Sequence, residues 1–372
     1  MQDAQTWTVG DVMHVLEAWA PPSLQESYDN AGLIVGHPNC ATKGVLISLD
    51  CTEEVVDEAI SLGLNMIVSH HPIVFGGLKR FNGQTYVERT VMKAIRNDIA
   101  IYAAHTNLDN VMDGVNHRLA TSLGCLPETL QILRPKPEAL MQIVVYGPEA
   151  AMHSVQEAMF AAGAGHIGRY DECGWSVPGH GTFRPLEGSD PALGQLGRRE
   201  QLDEVRLEVV AEPWKLNDVL KAMRESHPYE EVAHGVWTLN NVHRGVGSGM
   251  LGRLSKALTE EEFLELTKKA LGCKVIRHTR LLGKKIEKVA VCGGAGSFLL
   301  PDAKRAGADV LVTSDFKYHE FFDADGRIVV ADVGHYESEW QTTDLIANRL
   351  KENFTNFAVH LANANPNPIH YR

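Results

Sequence analysis

SLDCTEEVVDEAISLGLNMIVSHH, residues 48–71, has a counterpart later in the chain in VCGGAGSFLLPDAKRAGADVLVTSD, residues 291–315. Each stretch begins at the end of a short apolar run, continues as a helical segment, and closes on a second apolar run that ends in a histidine or a carboxylate. Strand-helix-strand units of this kind build parallel sheets. The sequence therefore predicts an α/β fold made of two duplicated halves, the alternative being chance similarity between generic α/β units.

A second pair of matching segments extends the parallel: AAHTNLD at residues 103–109 and DVGHYESE at residues 332–339. Both offer a histidine followed four residues later by a carboxylate, His105 with Asp109 and His335 with Glu339, a spacing that places both side chains on one face of a helical turn. Because open α/β sheets bind ligands beyond the carboxyl ends of their strands, we expect the two pairs to meet in one crevice.

The adjacent histidines His70 and His71 follow a predicted buried strand and precede Pro72. Together with the two histidine-carboxylate pairs they offer mixed nitrogen and oxygen ligands, which Zn, Mn, Fe and Co accept. Converging ligands of this number could hold two cations, with Glu339 as a bridge. The sequence thus predicts a dinuclear metal pocket; solvated or hydrogen-bonded side chains are the alternative for each pair alone.

Other groups could act beside a metal. Asp50 and Asp315 lie at corresponding strand ends, where either could orient a ligand histidine. His319 could transfer protons near neutral pH. His319 and Asp315 are the predicted catalytic residues, against the alternative of a helix cap or a surface residue. The glycine segment 293–296 is similar to an anion cradle but lacks the Lys-Ser/Thr ending of a P-loop, so we predict a tight turn.

The residues between the halves have a different rhythm. Their predicted order of elements, β-α-β-β-α-β, is that of a ferredoxin-like α+β module. Pro135-Lys136-Pro137 before it and the segment Gly245–Gly249 after it are predicted to be linkers. The expected organisation is a discontinuous α/β domain, residues 1–136 with 247–372, and an inserted domain, residues 137–246.

Composition limits the class of protein. The 372 residues favour two domains, 44% hydrophobic and 22% charged residues are ordinary for a soluble protein, and no apolar run approaches the length of a membrane span. The segment Met1–Trp7 lacks the pattern of a secretory signal, so we expect a cytoplasmic protein without membrane partners. The net charge of −12 disfavours nucleic acid as a partner.

Several motifs together carry a resemblance to a known family. They are SYDNAGL at residues 27–33, SHHP at 69–72, AHTNLD at 104–109, GHYESE at 334–339 and the ending NPNPI at 365–369. In combination they resemble the NIF-three-like dinuclear-metal family, whose bacterial members are often catalogued as GTP cyclohydrolase 1 type 2 homologs. One departure is Thr313-Ser314-Asp315, where the family commonly has Thr-Gly-acid.

The resemblance implies two divalent metal ions per chain, of Zn, Fe, Mn or Co. The ligands that it implies are His70, His71, Asp109, His335 and Glu339, with His105 as a frequent additional neighbour. It also implies a toroidal homohexamer of two stacked trimers around a central cavity, and it likens the insert to a PII-like module that acts as a lid.

Two functions stay open at this level. The first is a metal-dependent hydrolase in which a metal-activated water attacks a small-molecule, nucleotide-like substrate, as the name GTP cyclohydrolase suggests. The alternative is a non-catalytic metal-binding protein, regulatory or a scaffold, in which the PII-like insert senses a ligand. Nucleic-acid binding through a ring-shaped assembly is disfavoured by the acidic balance.

Overall fold

A computed structural model describes residues 6–137, 139–364 and 367–372. The expectations drawn from Met1–Gln5 and from Asn365 and Pro366 lie outside these residues. The strands are β1 (Trp7–Thr8), β2 (Gly32–Val35), β3 (Ala41–Thr42), β4 (Gly44–Ser48), β5 (Met66–Ser69), β6 (Ala100–Ala103), β7 (Gln131–Lys136), β8 (Met141–Gly147), β9 (Gly174–Phe183), β10 (Glu200–Ala211), β11 (His234–Thr238), β12 (His243–Thr259), β13 (Arg277–His278), β14 (Lys285–Ala295), β15 (Val310–Ser314), β16 (Val329–Asp332) and β17 (Ala358–Leu361).

The helices complete the description of the elements. The α-helices are α1 (Val9–Trp19), α2 (Glu53–Ser61), α3 (Tyr86–Arg96), α4 (Thr106–Asp109), α5 (Val115–Ser122), α6 (Glu149–Ala161), α7 (Leu216–Ser226), α8 (Glu260–Leu271), α9 (Leu300–Arg305), α10 (His335–Glu339) and α11 (Thr342–Asn353), and short 3-10 helices cover Pro22–Leu24, Pro127–Thr129, Pro213–Lys215, Ser297–Leu299 and Tyr318–Ala324. Among the described residues, none of the helices is long and apolar enough to cross a membrane.

The chain folds into two compact units, one formed by Met1–Arg134 with Gly245–Arg372 and the other by Pro135–Arg244. In the first unit, the amino-terminal half forms the sheet β17-β4-β5-β6-β2 with the last strand of the chain, β17, and the strands run parallel except for the edge strand β2. Strands β4, β5 and β6 are buried at every residue, as expected for a parallel sheet covered on both faces.

The carboxyl-terminal half of the same unit repeats this core. Its sheet is β13-β16-β15-β14-β12-β7, in which β14, β15 and β16 are parallel, β12 is antiparallel to β14, and β13 is antiparallel to β16. In each half the third parallel strand, β6 or β16, is followed by a short helix, α4 or α10. The two histidine-carboxylate segments of the sequence therefore occupy corresponding places in the two halves.

The second unit has the element order β8-α6-β9-β10-α7-β11 and the antiparallel sheet β11-β8-β10-β9. Its core lies between the sheet and the two helices, where Val145, Val209, Met159 and Met223 are buried. This order of elements is the one that the sequence predicts.

The segments predicted as linkers and as a tight turn are instead strands. Pro135-Lys136 ends β7, and Gly245–Gly249 lies inside β12. Gly249 has a φ of +66°, and a Cβ there would lie 2.5 Å from the Leu299 side chain. This glycine serves close packing and not flexibility, a distinction that composition alone does not make. Residues 293–295 likewise belong to β14, whose pairing with β15 is irregular between Val291 and Ala295.

Candidate metal centre

Two histidines extend from the end of β5. The backbone N–H of His70 donates to Ser48 O at 3.1 Å and that of His71 to Leu49 O at 2.9 Å. These bonds continue the hydrogen-bond ladder beyond β5 and hold both residues against the end of β4. Their ring centroids are 5.0 Å apart with planes at 47°, so two consecutive residues present imidazoles to one space.

The two short helices bring the remaining predicted ligands. His105 immediately precedes α4 and Asp109 ends it, while His335 begins α10 and Glu339 ends it. Within α10 the spacing of four places His335 Nε2 3.0 Å from Glu339 Oε2. The same carboxylate oxygen is 3.0 Å from His71 Nε2, which joins the two halves of the first unit at one point.

All six predicted metal ligands meet in this cluster. They form three groups whose ligand atoms lie within 4.8 Å of one another: His70 with His71 and His105, His71 with His335 and Glu339, and His70 with Asp109 and Glu339. Three residues belong to two groups each. The geometry therefore offers adjacent candidate positions for metal ions, and neighbouring positions have ligand side chains in common.

Each imidazole is held from behind through Nδ1. Nδ1 of His70 donates to Ala104 O at 2.7 Å, while the Nδ1 atoms of His71, His105 and His335 lie 2.8, 2.6 and 2.6 Å from carboxylates. The partners of these three are Asp50, Asp29 and Asp315, in that order. Acceptors at Nδ1 leave Nε2 as the nitrogen that faces the pocket, which is the arrangement typical of metal-binding histidines.

Two buried atoms in the cluster, His70 Nε2 and Asp109 Oδ1, have no hydrogen-bond partner among the described residues. The His70 side chain is fully buried, and its Nε2 lies 3.8 Å from both Asp109 Oδ1 and Glu339 Oε1, beyond hydrogen-bonding distance. Burial lowers the pKa of His70, and because Nδ1 donates to Ala104 O, the neutral ring has its lone pair on Nε2. An unpaired buried acceptor is costly. A cation between them would bind His70 Nε2, Asp109 Oδ1 and Glu339 Oε1 together.

The carboxylates and histidines shift one another's pKa values in opposite directions. Burial and the charge of Glu339 raise the pKa of Asp109 well above its usual range. Burial opposes ionisation of Glu339 too, but His335, His70 and His71 hold its pKa well below the usual range.

Two of the histidines are shifted upward. Burial lowers the pKa of His71, yet hydrogen bonds with Asp50 and Glu339 outweigh burial and raise it to about 10. For His335, the charge of Glu339 and hydrogen bonds with Glu339 and Asp315 likewise outweigh burial, and its pKa is about 9. A cation bound at these nitrogens has to displace protons, so binding must depend on pH.

Asp29 lies beside the cluster, in contact with His105. The sequence patterns assigned it no role. Burial opposes its ionisation, but hydrogen bonds from His105 and Thr106 hold the pKa of this carboxyl at about 2. Its side chain is fully buried, and Oδ2 also accepts from the backbone N–H of Thr106 at 3.0 Å. It belongs to the SYDNAGL motif, which carried the resemblance without indicating that Asp29 lies against a histidine.

The glycines of β14 form one wall of the site. A Cβ at Gly294, whose φ is +60°, would lie 2.4 Å from Glu339 Oε1 and 3.2 Å from His335 Cε1. Only glycine lets the strand approach these side chains so closely. The cluster opens into a cavity of about 380 Å3 that is also lined by Tyr28 and Phe298.

The two residues predicted as catalytic have different positions. Asp315 contacts His335, as described above. His319 is exposed and contacts the rings of Tyr318 and Phe322, and it is not among the described residues that line the cavity. Its catalytic role stays a prediction.

Comparison with known proteins assigns the chain to a family. The sequence profile of Duf34/NIF3 (NGG1p interacting factor 3) matches residues 7–368. The chain belongs to the Duf34/NIF3 family. This confirms the resemblance noted from the motifs of both halves.

Named relatives cover most of the chain. A Halalkalibacterium halodurans protein called GTP cyclohydrolase 1 type 2 homolog is 42% identical over 87% of this chain and 87% of its own. A Staphylococcus epidermidis protein of the same name is 32% identical over 98% of this chain and 100% of its own. Among solved structures, a Bacillus cereus protein related to NIF3 is 37% identical with a TM-score of 0.85, covering 99% of this chain and all of the other.

Proposed function

We propose that this Duf34/NIF3 protein is a metal-dependent hydrolase whose pocket holds two divalent cations. The observation that carries the proposal is the pair of orphaned, buried atoms, His70 Nε2 and Asp109 Oδ1, inside a cluster of ligands already oriented from behind. Imidazole and carboxylate ligands suit Zn, Fe, Mn and Co alike. Of the three residues that belong to two ligand groups each, Glu339 is the carboxylate, and its two oxygens would let it bridge the ions.

The access of the site favours catalysis over a purely structural role. Structural metal sites are closed, whereas catalytic sites keep a position open. His70 and Glu339 form a buried floor, while the side chains of His71 and His335 are 21% and 35% exposed and line the cavity of about 380 Å3. A small molecule in this cavity would reach the ligand atoms directly.

When bound, the cations would lower the pKa of a coordinated water and polarise the bond that it attacks. The contribution of the chain is positional. Asp50 and Asp315 hold the rings of His71 and His335 so that Nε2 faces the pocket, and Asp29 does the same for His105. Strand β14 closes the wall against Glu339. Of the two residues predicted to be catalytic, His319 remains proposed for proton transfer, and Asp315 is proposed to act by positioning His335.

The remaining parts of the proposal rest on the family. A homohexamer of two stacked trimers, a PII-like character of the insert and a nucleotide-like substrate are what the resemblance implies. The name of the relatives points to GTP as the first substrate to test. A metal-binding regulatory or scaffold protein is the competing function, and it differs from the hydrolase only in turnover.

Elemental analysis of protein purified without added metal tests the proposal. We expect about two metal ions per chain in the wild type and loss of metal in the His70→Ala, Glu339→Ala double variant. The exposed histidine of the other unit, changed in His180→Ala, is the matched control and should leave the metal content unchanged. Absence of metal from the wild type would refute the proposal.

A turnover screen of the same preparations with GTP and phosphoesters separates the two functions. Turnover that is lost together with the metal supports the hydrolase. Stoichiometric metal without turnover of any compound would favour the regulatory protein.

A further inference from the structure

Three aromatic side chains line the cavity beside the metal-ligand cluster: Tyr28, Phe75 and Phe298. They are 63%, 52% and 46% exposed, and we call them the aromatic mouth. The Phe75 ring lies 6.2 Å from that of Tyr28 and 6.0 Å from that of His105. Exposed rings grouped at a concave site offer flat apolar faces on which a planar ligand can stack.

The side chains that line the cavity include few of the groups that normally bind an anionic ligand. Glu26, Asp109 and Glu339 contribute carboxylates, and no described residue of the lining is a lysine or an arginine. The guanidinium of Arg134 lies 5.1 Å from the centre of the Phe298 ring, but it is paired with Asp302. Proteins that bind polyphosphates normally supply Lys or Arg side chains, or free backbone N–H groups.

The backbone N–H groups at the glycine wall are already used. The N–H of Gly293 donates to Asn116 Oδ1 at 3.0 Å, and that of Gly294 donates to Ser338 Oγ at 3.0 Å. These two donors therefore cannot cradle a phosphate, although the glycine pattern of the sequence is similar to an anion site. A phosphate chain would therefore depend on the proposed cations and on the histidines of the cluster for its charge partners.

The size of the cavity adds a further constraint. Its volume of about 380 Å3 is at the lower end of the range of about 300–1,000 Å3 for small-ligand sites. Aromatic faces, the lack of Lys and Arg among the described lining residues and the modest volume together favour a flat ligand without a phosphate chain.

We infer that the pocket takes an unphosphorylated planar heterocycle, of the size of a nucleobase or nucleoside, stacked on the aromatic mouth. The inference rests on the proposed function, since the ring would be presented to metal-bound water. It differs from what the relatives' name suggests, because the triphosphate of GTP would find no cationic side chain among the described residues that line the cavity.

Isothermal titration of metal-loaded protein tests the inference. The probes are the four common ribonucleosides and their free bases, with GTP and ribose for comparison. We expect at least one nucleoside or base to bind, ribose not to bind, and GTP to bind no more tightly than guanosine. Tyr28→Ala and Phe75→Ala should each weaken binding about tenfold, the size typical of losing one stacking partner. Phe75→Tyr, which keeps an aromatic ring, should bind with wild-type affinity.

The matched control is Phe81→Ala, because Phe81 is 54% exposed but lies outside the lining of this cavity. Its affinity should equal that of the wild type. The inference is overturned if GTP binds more tightly than guanosine, if ribose binds as well as the nucleosides, if Phe81→Ala weakens binding as much as Phe75→Ala, or if no nucleoside or base binds below 1 mM, a limit of about −4 kcal/mol.

Metal content measured on each sample separates the two levels of the argument. Failure of ring binding with two metal ions present refutes only the substrate class. Failure to hold metal refutes the proposed function itself.

Discussion

Replacing Gly294 with alanine is the sharpest test of how the fold positions Glu339. The added Cβ would lie 2.4 Å from Glu339 Oε1, so the carboxylate must retreat by about 1 Å to reach an ordinary van der Waals distance. A metal site tolerates displacements of about 0.5 Å or less. We therefore expect a loss of metal affinity at least as large as the roughly 10- to 100-fold seen when an outer partner of a ligand is removed.

The backbone penalty of this substitution has to be separated from the contact. Gly294 has a φ of +60°, where alanine costs about 1–2 kcal/mol. Gly326 has the same φ of +60°, and a Cβ there meets nothing within 4 Å. Gly326→Ala therefore carries the same conformational penalty without the contact with Glu339.

The assay is metal affinity, measured by competition with a chelator on both variants, with thermal unfolding in excess chelator as a second measurement. Both variants should lose thermal stability, but only Gly294→Ala should lose metal. If Gly294→Ala binds metal as tightly as Gly326→Ala, then Glu339 is either free to move or not a ligand, and the reasoning is wrong.

Three further predictions follow from the same geometry. Asp315→Asn should weaken metal binding about 10- to 100-fold by releasing Nδ1 of His335. Asp203→Asn removes a similar but exposed histidine partner in the other unit and should leave metal binding unchanged. Equal metal affinities of the two variants would contradict the orienting role of Asp315. In chelator-treated protein the pKa values of His71, about 10, and His335, about 9, are raised above the unfolded value. Protonation of these histidines therefore stabilises the fold fully below about pH 6.5, and this stabilisation is lost as the pH rises towards 10. A melting temperature that rises over this interval would contradict the prediction. His319→Ala should retain the wild-type metal content because the side chain lies outside the ligand cluster, and a fall in turnover at constant metal would support its catalytic role, while unchanged turnover would remove it from the mechanism.

Local sequence patterns predicted much of the architecture because they depend on near neighbours. The capping box of Thr8 and Asp11 begins α1, and it is a local motif that can be read from four consecutive residues. The buried parallel strands were recognisable as short apolar runs between helical segments. Local patterns gave the wrong prediction at the glycines of β12 and β14. Glycine is typical of turns, of linkers and of places where the backbone packs closely, and the three cases differ in which residues of distant segments lie against it.

The sequence was sufficient to predict the types of candidate ligand and their positions at strand ends, because the motifs of residues 69–72, 104–109 and 334–339 are contiguous. The tertiary structure decided which atoms meet. His71 and Glu339, 268 positions apart, come together only when the two sheets of the first unit pack. Burial of His70, the orphaned oxygen of Asp109 and the support of His105 by Asp29 are likewise properties of that packing, since desolvation and long-range hydrogen bonds have no local signature in a sequence.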